Sequence, residues 1–489
     1  TSFLIYYPLA LNSMHAQIGL GLSSSSFSTI TSPGGVETEV RRVEKSDNPV
    51  DIATLAYIWG YPLVSMKRLL DYSTGPNHPL GPGYGSVDTF NHFRDLVNAN
   101  FTNVVRPNQD TLYSPAFLIL QNPLVLHIPR ITDRYYTLQF VDAYTNNFKF
   151  IGTRTNVTAG GSYIITGPNW NGTVPQNMIH IKSPTNLAMI LTRILVNGPT
   201  DVPKVHAIQD KFSLSVYEDN VSGPSALSEK GENFSSVSNT TTISPQPEFI
   251  PKTGIKIFDE IVGDMVENPP YDYDDKVISK FKSIGIGPNL KPSMTANITI
   301  RQALERGIIN GERMIDQKVF NLGSKVNGWA INLYTGNYKA DYLLRAAIAK
   351  TAILANSPEE ALYPAAFEDS RGDRLSGKAN NSYVIHFGKG KMPPIKEGGF
   401  WSVSVYNSKN YFVDNKLDRY SISDRTEGIK FNADGSLDIF IQHEMPAKNN
   451  ISNWLPAPVD DFSLLMRVYI PDESIPRGEY QFPPVQKIR

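Results

Sequence analysis

The chain has 489 residues, with 46 Lys and Arg against 47 Asp and Glu, a formal net charge of −1. That length exceeds one compact core and calls for two or three domains, and the charge balance provides no general attraction to nucleic acid or to an anionic lipid surface. The absence of cysteine excludes thiol catalysis, Cys-ligated zinc and disulfides.

The first eleven residues are apolar from Phe3 onward, and Ser13-Met14-His15-Ala16 carries the small residues of a signal-peptide end. No basic region precedes them, so a leader remnant and a packed apolar strand both stay open. Residues 20–48 are Ser/Thr/Gly-rich and then charged, and read as an extended arm or linker. Asp47-Asn48-Pro49 is a helix start. Residues 50–70 follow with apolar side chains on nearly every face (Ile52, Leu55, Trp59, Leu63, Met66, Leu70), which predicts a buried helix.

From Thr111 to about residue 165 the hydrophobic period becomes two, with Tyr136, Leu138 and Phe140 on one face of a strand. Residues 186–196 and 202–212 read as helices packed on that sheet, and 223–251 as a polar Ser/Thr/Pro linker. Helices are expected at 255–267, 274–283, 298–320 and 338–355. The chain then turns to strands at 400–406, 437–442 and 464–470, with Asn432-Ala433-Asp434-Gly435 as a hairpin turn. With 35 Gly and 35 Pro supplying turns, the expected fold is a β-rich α+β protein. Two β-sandwich-like or jelly-roll-like domains are joined by a helical segment. The expected divisions are 1–48 (arm or leader remnant and linker), 49–222 (β-rich with helices), 223–251 (linker), 252–325 (helical connector) and 326–489 (jelly-roll-like). Beyond the apolar start, no run approaches the roughly 18–20 residues of a membrane helix, so no transmembrane segment is expected.

Two segments concentrate short polar groups and aromatics at strand starts: Arg106-Pro-Asn-Gln-Asp-Thr-Leu-Tyr-Ser114 and Gly399-Phe-Trp-Ser-Val-Ser-Val-Tyr406. Asp110 could serve as a general base or hard-metal ligand, with Tyr113 orienting a substrate hydroxyl. Arg106, Asn108 and Thr111 would complete a polar ligand site. The competing reading is a turn whose Asp and Asn side chains cap backbone N–H groups. Trp401 and Tyr406, with Trp454 and Tyr469, could stack on sugar rings; the competing reading is core packing. Arg419 and Arg467 are candidates for carboxylate or phosphate contact. Arg467 alternates with Met466 and Val468 and therefore faces away from the core.

No two of the eight histidines stand at i,i+2 or i,i+4, so no metal ligand set is assigned, and a divalent metal would need ligands gathered from distant residues. Asp272-Tyr-Asp-Asp275 is either a calcium ligand run or an acidic helix start. There is no nucleophile elbow, phosphate loop, His-Glu-x-x-His or EF-hand spacing. Sequons begin at Asn100, Asn156, Asn171, Asn220, Asn233, Asn239, Asn297, Asn380 and Asn450. They fit a glycosylated, exported protein at the cell surface or outside the cell.

These segments together resemble the paired families of unknown function DUF1254 and DUF1214. The first match runs through Ile58-Trp-Gly-Tyr-Pro62, Arg106 to Tyr113, Arg134-Tyr-Tyr136, Gly167-Pro-Asn-Trp170 and Ser183-Pro-Thr185 to Arg193. The second takes in Asn327-Gly-Trp329, Tyr342-Leu-Leu-Arg-Ala346, Phe400-Trp-Ser402, Asn415, Arg419-Tyr420 and Asp434-Gly-Ser436. It ends with Asn453-Trp-Leu-Pro-Ala-Pro458 and Arg467 to Pro471. The resemblance covers about 400 residues in the family's order and implies a sandwich-like first domain (49–222) and a jelly-roll-like second (326–489). One departure stands at Phe117-Leu-Ile-Leu120, where an acidic residue is usual, so an activity needing that acid would be lost or moved in this chain.

Three functional readings follow. The chain recognises or acts on a carbohydrate-like or other small polar ligand at the strand ends near Asn108 and Asp110, shared with the second domain. Alternatively it is a self-associating surface or filament protein that adds its N-terminal arm to a neighbour's sheet edge. The third reading is a metal-dependent hydrolase with scattered ligands.

Overall fold

In a computed structural model, residues 33–76, 78, 81–102, 105–218 and 254–489 are described. The apolar first residues, the 223–251 linker, and the sequons at Asn220, Asn233 and Asn239 lie outside them. The fold is mixed α+β. Among the described residues, five helices surround one long central helix, and four sheets make up most of the rest.

The first described helix, α1 (Pro33–Lys45), occupies part of the stretch expected to be extended. Its Val36, Val40 and Val43 form a stripe that packs into the helical core beneath an otherwise charged surface. The central helix α2 (Pro49–Thr74) starts where predicted, with the Asn48 side chain accepting from the Val50 N–H and Pro49 at its first position. Its residues from Ile52 to Met66 are all buried, so it is enclosed on every side and carries Pro62 within it.

Among the described residues, β1 (Thr111–Ile119), β2 (Leu124–Ile128), β3 (Tyr136–Asp142), β4 (Asn147–Gly152), β5 (Gly161–Thr166), β6 (Ile179–Lys182) and β7 (Leu187–Leu195) follow. After α3 (Val202–Gln209), β8 (Ser213–Val216) completes two sheets of order β1-β7-β3-β4 and β6-β5-β2-β8. Both sheets contribute side chains to one apolar core that includes Leu112, Leu126, Leu138, Ile165 and Ile190. Residues 186–196, expected to be helical, are the central strand β7, antiparallel to both β1 and β3. Every residue of β7 is buried, on one face against the second sheet and on the other against helices and the C-terminal half. A strand covered on both faces has no alternation for a periodicity test to find.

Helices α4 (Ile257–Glu267), α5 (Asp275–Lys282) and α6 (Ile298–Phe320) close around α2. Close approach is set by glycine. A Cβ on Gly307 would lie 2.5 Å from Ala53 Cβ and 2.7 Å from its backbone carbonyl carbon, and one on Gly60 would lie 2.3 Å from the Ile261 side chain. The acidic run at 272–275 is a helix start: a short 3-10 turn leading into α5.

The remaining elements are β9 (Ser324–Val326), β10 (Trp329–Ile331), α7 (Tyr342–Ala352), β11 (Ala361–Leu362), β12 (Ala365–Ala366), β13 (Ser382–Phe387), β14 (Ile395–Asn407), β15 (Ser421–Ser423), β16 (Leu437–Gln442), β17 (Trp454–Pro456), β18 (Phe462–Pro471) and β19 (Val485–Lys487). They form a large sheet, β15-β14-β18-β12-β10-β9 with β11 also on β18, and a smaller one, β17-β16-β13-β19. The two share a core built from Trp401, Val403, Met466, Val468, Ile385 and Ile439. The 432–435 segment is a turn, with Gly435 at φ 85°, but it is not a hairpin. β16 pairs with β13 and β17, whereas the 400–406 run lies in the other sheet. No helix among the described residues is long and apolar enough to cross a membrane.

Candidate functional site: a polar layer between two sheets

Strand alternation decides what meets at the centre of the molecule. On β14 and β18, Trp401, Val403, Val405, Leu464, Met466 and Val468 point into the C-terminal core. Their neighbours Phe400, Ser402, Ser404, Tyr406, Leu465, Arg467 and Tyr469 must point the other way. In register, Phe400 lies opposite Tyr469 and Ser402 opposite Arg467. On the N-terminal sheet, Tyr113, Arg193 and Thr137 stand in one cross-strand row. The two faces enclose a buried layer that is polar and aromatic where apolar packing would be the default.

The 106–110 segment threads this layer. Arg106 adopts φ 51°, its N–H donates to the Asn410 carbonyl at 2.7 Å, and its Nε donates to Asn410 Oδ1 at 3.0 Å. Asn108 is a hub: its Nδ2, with two hydrogens to share, lies 3.0 Å from Thr111 Oγ1, 3.0 Å from the Tyr113 hydroxyl and 3.1 Å from the Tyr469 hydroxyl, while its Oδ1 accepts the Asp110 N–H at 2.7 Å. Asn108 therefore does the local capping, which leaves the Asp110 carboxylate for partners across the layer. Ser402 Oγ donates to Asp110 Oδ2 at 2.5 Å, and Arg425 pairs with Oδ1 at 3.2 Å. Arg467 holds the segment from the far side, donating to Ser404, to the Tyr406 hydroxyl and to the carbonyls of Arg106 and Pro107 at 2.9–3.1 Å. The Tyr406 hydroxyl in turn donates to the Pro107 carbonyl at 2.6 Å.

On the N-terminal side, Arg193 donates to Gln139 Oε1 (2.7 Å), Asn356 Oδ1 (3.0 Å) and the Leu354 carbonyl (3.3 Å), with its guanidinium over the Tyr113 ring. Asn356 donates to the Tyr363 hydroxyl at 2.7 Å. Glu360, 1% exposed, accepts from the Tyr135 hydroxyl at 2.6 Å and from Arg154 at 2.7 Å. Tyr135, Phe400 and Tyr469 pack ring against ring, with Phe400 and Tyr469 stacked at 4.3 Å. Burial raises the tyrosines here: Tyr363 is pushed up to about 12, and Tyr135 and Tyr469 stand well above the usual phenol value. All three are O–H donors at neutral pH.

The predicted residues Arg106, Asn108, Asp110, Thr111, Tyr113, Tyr406 and Arg467 thus come together, although the last two are 61 residues apart and Arg467 is 360 or more from the segment it holds. Trp401 does not join them; it is packed in the C-terminal core against Phe387. Trp454 donates to the Gln442 carbonyl, and Arg419 donates to the carbonyls of Ile451, Ser452 and Trp454, so both hold local structure. No group of three or more His, Asp or Glu that could hold a metal ion is found among the described residues. The sequons at Asn100, Asn156, Asn171, Asn297 and Asn380 are exposed, and Asn450 is half-buried.

Sequence reasoning did not single out Arg193, Glu360, Asn356, Tyr363 or Arg425 as site residues. For Arg193 a signal existed: a lone cation in the run Leu-Ala-Met-Ile-Leu-Thr-Arg-Ile-Leu, which strand parity would have placed opposite Tyr113. For Arg425 and Glu360, both in loops, no local signal exists.

Residues 87–216 match the family described as a protein of unknown function, DUF1254, and residues 360–473 match DUF1214, described likewise. The VPA0106 protein from Vibrio parahaemolyticus shares the fold at a TM-score of 0.67 and 22% identity, over 90% of this chain and 100% of that one. A putative uncharacterised protein from Burkholderia cenocepacia aligns over 94% of this chain and 98% of its own at 11% identity, with a TM-score of 0.42. No curated protein matches. The buried layer joins the two matched regions, since Asn108 and Asp110 come from the first and Ser402, Arg425, Arg467 and Tyr469 from the second. The chain thus carries a region that matches DUF1254 followed by one that matches DUF1214.

Proposed function

We propose that the layer is a binding site for a small polar, carbohydrate-like ligand, with Asp110 as the group that engages a ligand hydroxyl and Tyr113 beside it. The observation that carries this reading is the Asp110 environment. A carboxylate only 4% exposed is held by Ser402 and Arg425 from the other half of the chain, at a place where apolar residues would be at least as stabilising. Stability does not call for such an arrangement, and recognition of polar groups does. On the same reading each pair of sheets is a sandwich-like unit around its own core, and the exposed sequons support export to the cell surface or beyond.

A thermal-shift survey of neutral and charged monosaccharides against the wild-type chain and Asp110→Asn tests the proposal. A sugar that raises the wild-type melting temperature but not that of Asp110→Asn supports it. Equal shifts in both proteins count against Asp110.

A further inference from the structure

The layer buries three guanidiniums, Arg106, Arg193 and Arg467, against two carboxylates, Asp110 and Glu360. Arg193 and Arg467 are both 0% exposed, and every hydrogen bond described for them goes to a neutral acceptor. The two buried carboxylates are already engaged, Asp110 with Ser402 and Arg425, and Glu360 with Tyr135 and Arg154. A guanidinium cannot shed its proton, so burial without a counter-charge costs several kcal/mol. Asp110 is near enough to Arg467 to act on it electrostatically, whereas the groups acting on Arg193 are tyrosines, Tyr113, Tyr363, Tyr469 and Tyr135. No hydrogen-bonded carboxylate therefore answers the charge of Arg193.

Unused donors surround it. Nε of Arg193 and Nε of Arg467 have no hydrogen-bond partner among the described residues. The hydroxyl oxygens of Tyr363 and Tyr469 accept from Asn356 and Asn108, which leaves their protons to be donated. Where the layer nears solvent, Arg425 and Arg154 are 22% and 26% exposed, two more cations that draw an anion inward.

Resting on the reading of the layer as a small-ligand site, we infer that the ligand is a monoanion whose carboxylate docks against Arg193 with Tyr363 and Tyr469 donating to it. A carboxylate supplies one charge and acceptors for several donors. That matches the single charge of Arg193 one for one. Among carbohydrate-like ligands this selects sugar acids over neutral sugars.

The test is isothermal titration of the full chain with D-glucuronate, D-glucose and glucose 6-phosphate. Glucuronate is expected to bind, with glucose weaker by about tenfold or more, the loss of one charge-assisted interaction. Arg193→Gln and Tyr363→Phe are each expected to weaken glucuronate by about tenfold. Tyr363→Phe keeps the ring and removes only a hydroxyl, so it serves where Arg193→Gln fails to fold. Equal binding of glucose and glucuronate overturns the charge inference and leaves the small-ligand reading standing. Tighter binding of the phosphate overturns the monoanion. Wild-type affinity in both variants places the carboxylate elsewhere and overturns the inference, and no binding by any of the three ligands overturns both readings.

Discussion

Ser402 Oγ donates to Asp110 Oδ2 at 2.5 Å across 292 residues of chain, joining the N-terminal loop to β14 in the interior of the molecule. Ser402→Ala removes the donor and leaves part of a buried carboxylate unsatisfied, which costs about 1–3 kcal/mol. The denaturant midpoint should fall accordingly with the m-value unchanged. A change under a few tenths of a kcal/mol would mean that Arg425 alone satisfies Asp110.

Tyr135 and Glu360 form the matching contact on the other flank, at 2.6 Å between buried groups. Tyr135→Phe and Glu360→Gln should each destabilise, and the double variant by less than the sum, with a coupling of about 0.5–3 kcal/mol. Strict additivity would show that the hydrogen bond contributes nothing beyond packing.

The contrast between these two contacts shows what sequence could reveal. Asn108, Asp110 and Tyr113 share one short polar motif at a strand start, and Ser402, Ser404 and Tyr406 share the outward parity of one strand, so both sets are legible locally. Glu360 and Arg425 lie in loops and reach the layer only through the packing of whole sheets. The same division holds for the fold. The helix at Ile298–Phe320 has an apolar stripe beside a charged face and was predicted to its ends, whereas β7, covered on both sides, has no stripe and reads as a helix. The helix at Pro33–Lys45 was missed because its three valines are outnumbered by charges.

Helix packing gives a third prediction. Gly307→Ala raises helix propensity by about 0.5–1 kcal/mol, but its Cβ would fall 2.5 Å from Ala53 Cβ and 2.7 Å from the backbone of α2. Backbone cannot give way as a flexible side chain can, so a net loss of about 1–3 kcal/mol is expected. A thermal melt in which Gly307→Ala is more stable than wild type would refute the close approach.

The fourth concerns pH. Burial lifts the Asp264 carboxyl to about 7, with Lys67 opposing the rise. That is above the unfolded value near 3.9, so the folded state binds the proton more tightly and this residue's contribution to stability falls as pH rises from about 4 to about 7. Asp264→Asn should match wild type near pH 4 and exceed it near pH 8 by about 1–3 kcal/mol, after allowance for partial exposure. An equal difference at both pH values would exclude titration of Asp264 as the cause.

The distance in chain between Asn108 and Tyr469 bears on synthesis. At about 5–20 residues per second, the 361 residues separating this hydrogen-bonded pair take roughly 20–70 s to emerge. Within that interval, once β7 is made, the N-terminal sheet presents Arg193, Thr137 and Gln139 to water until β14 and β18 follow. A wholly apolar face would be left sticky for that time, while here Arg193, Thr137 and Gln139 set polar groups beside Leu187, Met189 and Leu191. The same polar side chains that form the layer also keep this part of the first half hydrated while it waits for the second.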